Sequence, residues 1–418
     1  MTRRLSATLL ATTMFALVPA LAQAQAPQLA DGPGKQQVES LCTGCHQTNM
    51  ITGSSGYTRE HWQELTGTMI DLSTVPAERD AIMQYLASHY PPNTRNAAKL
   101  VSGPVQIKFQ EWQTKTLGNR SRDPVQGPDG LIWWAGQWGN MIGSIDPQTG
   151  AMKEYPLPAN AKPHTVEPDS KGNIWYTGNV NGTIGYLDPK TGKITEYKLS
   201  DPNAKDPHTA IFDKKGTLWF TLQNSNMIGR LDPATGDIKL ITAKVANSKP
   251  YGIKEDSDGN FWIACNGAAC LYKMDAATMA LTEIKLPTPG TTVRRLDIGA
   301  DGMVWYVNSG QGKLGRVNPK TGEIKEWDSP SGQKSHPYAI VITRDGAVWY
   351  NESAVRPDAL VRFDPKTESF QSWPVPSGNV YAGIIRHMRL DRDGNILIHQ
   401  TSSNKIMRVT VEKRAASR

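Results

Sequence analysis

The chain has 418 residues, enough for two or three domains with well-filled cores. Its 46 lysines and arginines against 39 acidic residues give a formal net charge of +7, and the basic residues are scattered rather than set in runs. That spread argues against a nucleic-acid partner, and no stretch reaches the roughly 18–20 apolar residues of a membrane span.

Residues 1–24 have the form of a secretory leader. Arg3-Arg4 supplies the charged start, Leu9 to Leu21 a short apolar run, and Ala22-Gln23-Ala24 a small-x-small cleavage pattern. Cleavage near Ala24 predicts an exported, periplasmic protein.

Next comes Leu41-Cys42-Thr43-Gly44-Cys45-His46, a C-x-x-C-H run. Two thiols three positions apart can add to the two vinyl groups of one haem, with the adjacent imidazole of His46 as an axial iron ligand. A zinc site is the competing reading, but no second Cys or His pair stands nearby at zinc spacing. Such attachment is made outside the cytoplasm, so leader and motif agree. Around the motif, residues 25–92 read as short helices: Gly34 to Leu41; a segment capped by Thr58 carrying Trp62, Leu65, Met69 and Ile70; and one opened by Thr74 and Pro76 and ended by Tyr90-Pro91-Pro92. This arrangement resembles a small all-α class I cytochrome c. The resemblance implies one covalent haem c and a distal methionine. Met69 is favoured for that place; Met50 and Met83 are alternatives, with His61 and His89 further behind. Filling both axial positions suits electron transfer, and with it a redox protein partner.

Residues 93–104 read as a linker. Beyond them an internal repeat fills 105–411: Asp-Gly-x-apolar-Trp, a polar turn, Ile-Gly-x-apolar-Asp-Pro-x-Thr-Gly, then an alternating strand. The anchors are Trp133, Trp175, Trp219, Trp262, Trp305 and Trp349, with Leu397 in the same slot, spaced 42 to 48 residues apart. The period predicts an all-β seven-bladed β-propeller, with the Trp residues as core. The last repeat runs out after three strands, so residues 106–113 are expected to close it, leaving 412–418 as a tail. Cys265 and Cys270 flank the turn signal Asn266-Gly267 and suit a disulfide across a hairpin, unpaired thiols being the alternative.

The repeat wording, such as Trp219-Phe220-Thr221 and Ile228-Gly229-Arg230, resembles the streptogramin B lyase (virginiamycin B lyase) family. The resemblance implies Mg-dependent, ring-opening elimination by His and Glu residues at the channel mouth. The Glu of that pattern occurs once, as Glu352, and Glu352-Ser-Ala lacks the His that should follow.

At the entry to each innermost strand stand Arg122, His164, His208, Tyr251, Arg294, Tyr338 and Arg386. Scattered polar loop residues are one account of them. The other is a basic, aromatic-rimmed pocket for a small anionic or carbonyl-bearing molecule, with a His or Tyr able to move a proton. His164, His208, Tyr251, Arg294 and Glu352 are the catalytic candidates; a metal between His164 and His208 is a weaker possibility. Three functions fit: an exported redox protein whose propeller binds substrate or partner; a lyase with an appended cytochrome; or an electron carrier with a protein-binding propeller.

Overall fold

The protein was examined as a computed structural model, which describes residues 28–44, 48–54, 56–92, 96–376 and 385–412. The leader, Cys45 and His46 lie outside the described residues.

Seven four-stranded antiparallel sheets form a propeller. Six are meanders in chain order, and blade three shows how the repeat builds one. It consists of Pro207–Phe212, Leu218–Leu222, Met227–Leu231 and Ile238–Thr242. Asp213 closes the first turn by accepting from the Lys215 and Thr217 backbone at 2.9 and 2.8 Å, and its other oxygen takes the Trp219 indole N–H at 2.9 Å. The indole is thereby satisfied while its ring, 1% exposed, fills the core. Trp175 and Trp262 bond Asp169 and Asp256 in the same way.

The Ile-Gly-x signature has a packing cause. Tyr176 of blade two lies over Gly185, directly opposite it on the next strand, so that a Cβ there would meet the Tyr176 ring. In blade four the sizes are exchanged: Tyr272 takes the glycine place and Ile263 the aromatic one. Gly185→Val should therefore overpack blade two and cost about 1–3 kcal/mol, read as a lower unfolding midpoint in urea.

The seventh sheet joins both ends of the repeat region. Arg389–Leu390, Ile396–Gln400 and Lys405–Glu412 are completed by Gln106–Gln113, with Gln106 opposite Glu412 and Gln113 opposite Lys405. Cys265 and Cys270 are disulfide-bonded, their Cα atoms 5.5 Å apart.

Four short helices precede the propeller: α1 (Lys35–Cys42), α2 (Thr48–Thr52), α3 (Arg59–Gly67) and α4 (Pro76–His89). Thr58 caps α3, its hydroxyl accepting from the His61 backbone. Two expectations need correction. Helix α3 stops at Gly67, so Met69 and Ile70 lie beyond it, in the turn where the Met69 backbone N–H donates to Thr66. Helix α4 starts from Val75, without a Thr74 side-chain cap. The helical core and that of blades six and seven form one apolar cluster, running from Val38, Trp62 and Leu86 to Ala339, Trp349 and Met407. The described part of the linker is strapped down: Ala98 donates to the Arg356 carbonyl, Lys99 to Ser331 Oγ and Val101 to Ser372 Oγ. Among the described residues no helix is long and apolar enough to cross a membrane.

Candidate functional site

In six blades the innermost strand slips register against its neighbour just after its first or second residue. In five of them the slip frees the ring residue and the one after it; in the first blade it frees Asp123 and Pro124, Arg122 staying opposite Ala135.

The first tier is the ring expected from the repeats. His164 and His208 stack with centroids 3.4 Å apart, and Tyr251 follows at 4.1 Å from His208. The Tyr251 and Tyr338 hydroxyls share a short hydrogen bond. The Arg294 guanidinium lies 4.6 Å from the Tyr338 ring centre and donates to its hydroxyl at 3.5 Å; Arg386 lies 5.7 Å from the same ring centre. Arg122 is tied to Gln137 at 2.5 Å. The ring thus carries three arginines, two imidazoles and a phenol pair, all of it buried or nearly so.

The second tier closes the axis with charge. Asp123, fully buried, takes the Thr165 hydroxyl at 2.8 Å and faces His387 at 3.3 Å, Arg295 at 3.6 Å and His164 at 3.8 Å. Arg295 also donates to Thr209 Oγ1 and to the Arg386 carbonyl. Burial alone would raise the Asp123 carboxyl, but His387, Arg295 and His164 hold it well below the usual range.

Titration behaviour separates the ring members. Burial pushes His164 and His208 well below ordinary histidine values, and neighbouring arginines add to this, so both imidazoles are neutral at pH 7. Burial also pushes Tyr251 up, to about 12. Tyr338 goes the other way: burial is outweighed by Arg294, Arg386 and the Tyr251 hydrogen bond, which bring it down to about 7. A phenolate at neutral pH is a competent proton acceptor.

Glu352 does not join this ring. Its buried carboxylate accepts from Ser329 Oγ at 2.8 Å, the Ser331 backbone at 2.9 Å and Ser331 Oγ. The residues do not fit the Mg²⁺ that the lyase resemblance implies: the one matching carboxylate is spent on serines, and the ring repels a dication. Among the described residues no group of three or more His, Cys, Asp or Glu could hold a metal.

Beside Cys42, a small apolar cavity is lined by Met50, Ile51, Trp62, Leu65, Met69 and Leu86, among others. The buried Trp62 indole N–H has no hydrogen-bond partner among the described residues. Apolar walls, a cysteine at the edge, two thioethers and an orphaned donor are the chemistry that a haem site would need. Met83 is packed in the core at 0% exposure, and His61 and His89 do not line this cavity. A second, smaller cavity shares Met50, Met69 and Ser402 with the first, and its far wall holds Arg120, Trp138 and Arg386. The apolar cavity is thereby linked to the propeller ring at Arg386.

Sequence reasoning passed over Asp123 and Arg120, each within two positions of Arg122. Asp123 carries the left-handed φ of 50° and Arg120 one of 54°. Reading one residue past the ring position would have exposed Asp123, because no other blade has an acid after its ring residue.

This fold and site define a seven-bladed propeller with a buried, charged axis. The chain belongs to the virginiamycin B lyase family, whose profile matches residues 105–272 and 237–417. It is similar to the virginiamycin B lyase of Staphylococcus aureus at 26% identity, covering 73% of this chain and 100% of that one, with a TM-score of 0.66. A catalytically inactive histidine variant of that enzyme, solved with quinupristin, matches at the same values. Hydrazine synthase of Kuenenia stuttgartiensis shares the fold at 15% identity, 73% and 98% coverage and a TM-score of 0.57. Comparison with curated proteins gave no match.

Proposed function

We propose that the protein is an exported c-type haem protein in which the propeller holds a small anionic or carbonyl-bearing substrate at the ring and the helical segment passes electrons to a redox partner. The carrying observation is the shared wall of Met50, Met69 and Ser402, through which the cavity beside Cys42 borders the one lined by the ring residue Arg386. Cys42 and Cys45 would hold the haem covalently, with His46 and Met69 as axial ligands. Bound there, the haem supplies one-electron acceptance. The chain's own residues do the rest: Arg294 and Arg386 orient the anion, and Tyr338, backed by Tyr251 and His208, takes the proton released as the substrate loses an electron.

The test is the visible spectrum of the purified protein as candidate donors are added. Donor-driven reduction that is lost in Tyr338→Phe supports the reading; reduction by a partner protein alone, indifferent to that change, sinks it. The pH dependence has a definite sign. Below pH 7 Tyr338 is protonated and cannot accept, so the reduction rate should rise through about pH 7 and then level off. In Tyr338→Phe the step should disappear from the profile.

The family match favours a second reading, a lyase reaction, as the Staphylococcus aureus relative's name states for that enzyme. His164 and His208 would serve as its bases. The engagement of Glu352 by Ser329 and Ser331 counts against it. Cleavage of quinupristin with no change in the haem spectrum would establish this reading over the first.

A further inference from the structure

His164 and His208 share the same local wording. Each stands in Pro-His-Thr at the start of an innermost strand. The threonine that follows donates its backbone N–H to a hydroxyl on the next strand, Thr165 to Thr177 at 3.1 Å and Thr209 to Thr221 at 3.3 Å. Each imidazole sets its Nδ1 against the hydroxyl of that following threonine, at 3.2 Å in His164 and 3.0 Å in His208. No hydrogen bond to either Nε2 forms among the described residues. The two differ only in the third group on each hydroxyl.

Thr165 Oγ1 lies 2.8 Å from Asp123 Oδ2. A carboxylate only accepts, so the Thr165 proton goes to Asp123 and a lone pair is left for a proton on His164 Nδ1. The same carboxylate oxygen stands 3.8 Å from that nitrogen, which favours N–H there over a second lone pair. Thr209 Oγ1 instead receives Arg295 Nη1 at 2.9 Å. A guanidinium only donates, so the Thr209 proton must go elsewhere. Among the described residues His208 Nδ1 is the one acceptor it meets. Thr209 is 1% exposed, so an unmatched proton there would have no water to turn to.

We propose that Asp123 and Arg295, acting through Thr165 and Thr209, hold the stacked imidazoles in opposite tautomers. His164 carries its proton on Nδ1 and offers Nε2 as a base; His208 carries its proton on Nε2 and offers it as a donor. Asp123, Thr165, Arg295 and Thr209 are positioning residues. With ring centres 3.4 Å apart, acceptor and donor serve neighbouring atoms of one small molecule. That pairing suits a carbonyl oxygen, held by His208, beside an acidic hydrogen, taken by His164. The assignment holds under either reading of function and sharpens both. The two bases of the lyase reading become one, and in the redox reading His208 binds the substrate oxygen without taking a proton.

The experiment is solid-state NMR of the full-length protein with isotope-labelled histidine rings at neutral pH, which reads the nitrogen that bears each proton. His164→Gln and His208→Gln assign the signals. The expected result is a protonated Nδ1 in His164 and a protonated Nε2 in His208, each outnumbering its alternative about tenfold or more. Thr209→Val should erase most of the His208 excess and leave His164 as it was, with Thr209→Ser restoring it. Thr165→Val should reduce the His164 excess and spare His208. A general disturbance of packing would move both rings together. The same tautomer in both rings, or an imidazolium in either, overturns the proposal even if neither valine variant folds. Opposite tautomers that ignore both valines overturn the threonine relay. No substrate enters the measurement, so failed donor-driven reduction or failed quinupristin cleavage leaves the tautomers standing.

Discussion

Alanine at Arg294 is expected to slow donor-driven haem reduction about tenfold to a hundredfold at low donor concentration, and to move the pH midpoint of what remains upward from about 7. The two effects have one origin. The Arg294 guanidinium donates to the Tyr338 hydroxyl and lies against its ring, so it serves both the anion and the phenolate. Loss of a charge-assisted contact accounts for the first effect. The second follows because Arg294 is the foremost influence opposing burial at Tyr338; without it the phenol climbs back toward its ordinary value and accepts protons only in more alkaline solution. Initial rates across pH 5–10, at several donor concentrations, would check both. An unchanged midpoint with a weakened apparent affinity would leave Arg294 a binding group only.

Cys42→Ser should cost more. The haem would lose one of its two thioether links, and most of the protein should then release its pigment into acidified acetone, where the parent retains it on the polypeptide. The cavity beside position 42 is almost wholly apolar, and an unfilled void of that kind weakens the packing of Trp62, Leu65 and Leu86 around it. A lowered unfolding midpoint confined to the helical signal should accompany the loss of colour. A variant that keeps its pigment through the acid extraction would refute the covalent assignment.

The propeller was legible because its repeat is written in residues with separate physical duties. The Asp that closes a turn also bonds the anchor Trp, and the Gly of Ile-Gly-x makes room for the aromatic residue opposite it. Such pairings recur at fixed spacing, so periodicity alone finds them. The ring was legible for the same reason, one residue per blade at a constant offset. What escaped was whatever occurs once. Asp123 faces Arg295 and His387 across the axis, and nothing local marks a residue that pairs with a position about 170 or more further along the chain. Glu352 shows a related limit: the pattern Trp-x-x-Glu shows the carboxylate but not the serines 21 and 23 positions before it that engage it. In the helical segment, apolar spacing carried Met69 into α3, whereas the chain turns at Thr68 and presents Met69 to two cavities at once.

The closing strand bears on how the molecule is made. Gln106–Gln113 leaves the ribosome early, and its partner Lys405–Glu412 follows about 290 residues later. Chains fold from the N-terminus as they emerge, so six blades can be complete while the first strand still waits with an open edge. During that interval the four helices have no finished seventh blade to rest on, and blades six and seven supply part of their apolar cluster. Cys42, packed against that cluster, is covered by the seventh blade only once the closure is made. Ring closure then acts as the last assembly step, covering the joint only after the final strand arrives.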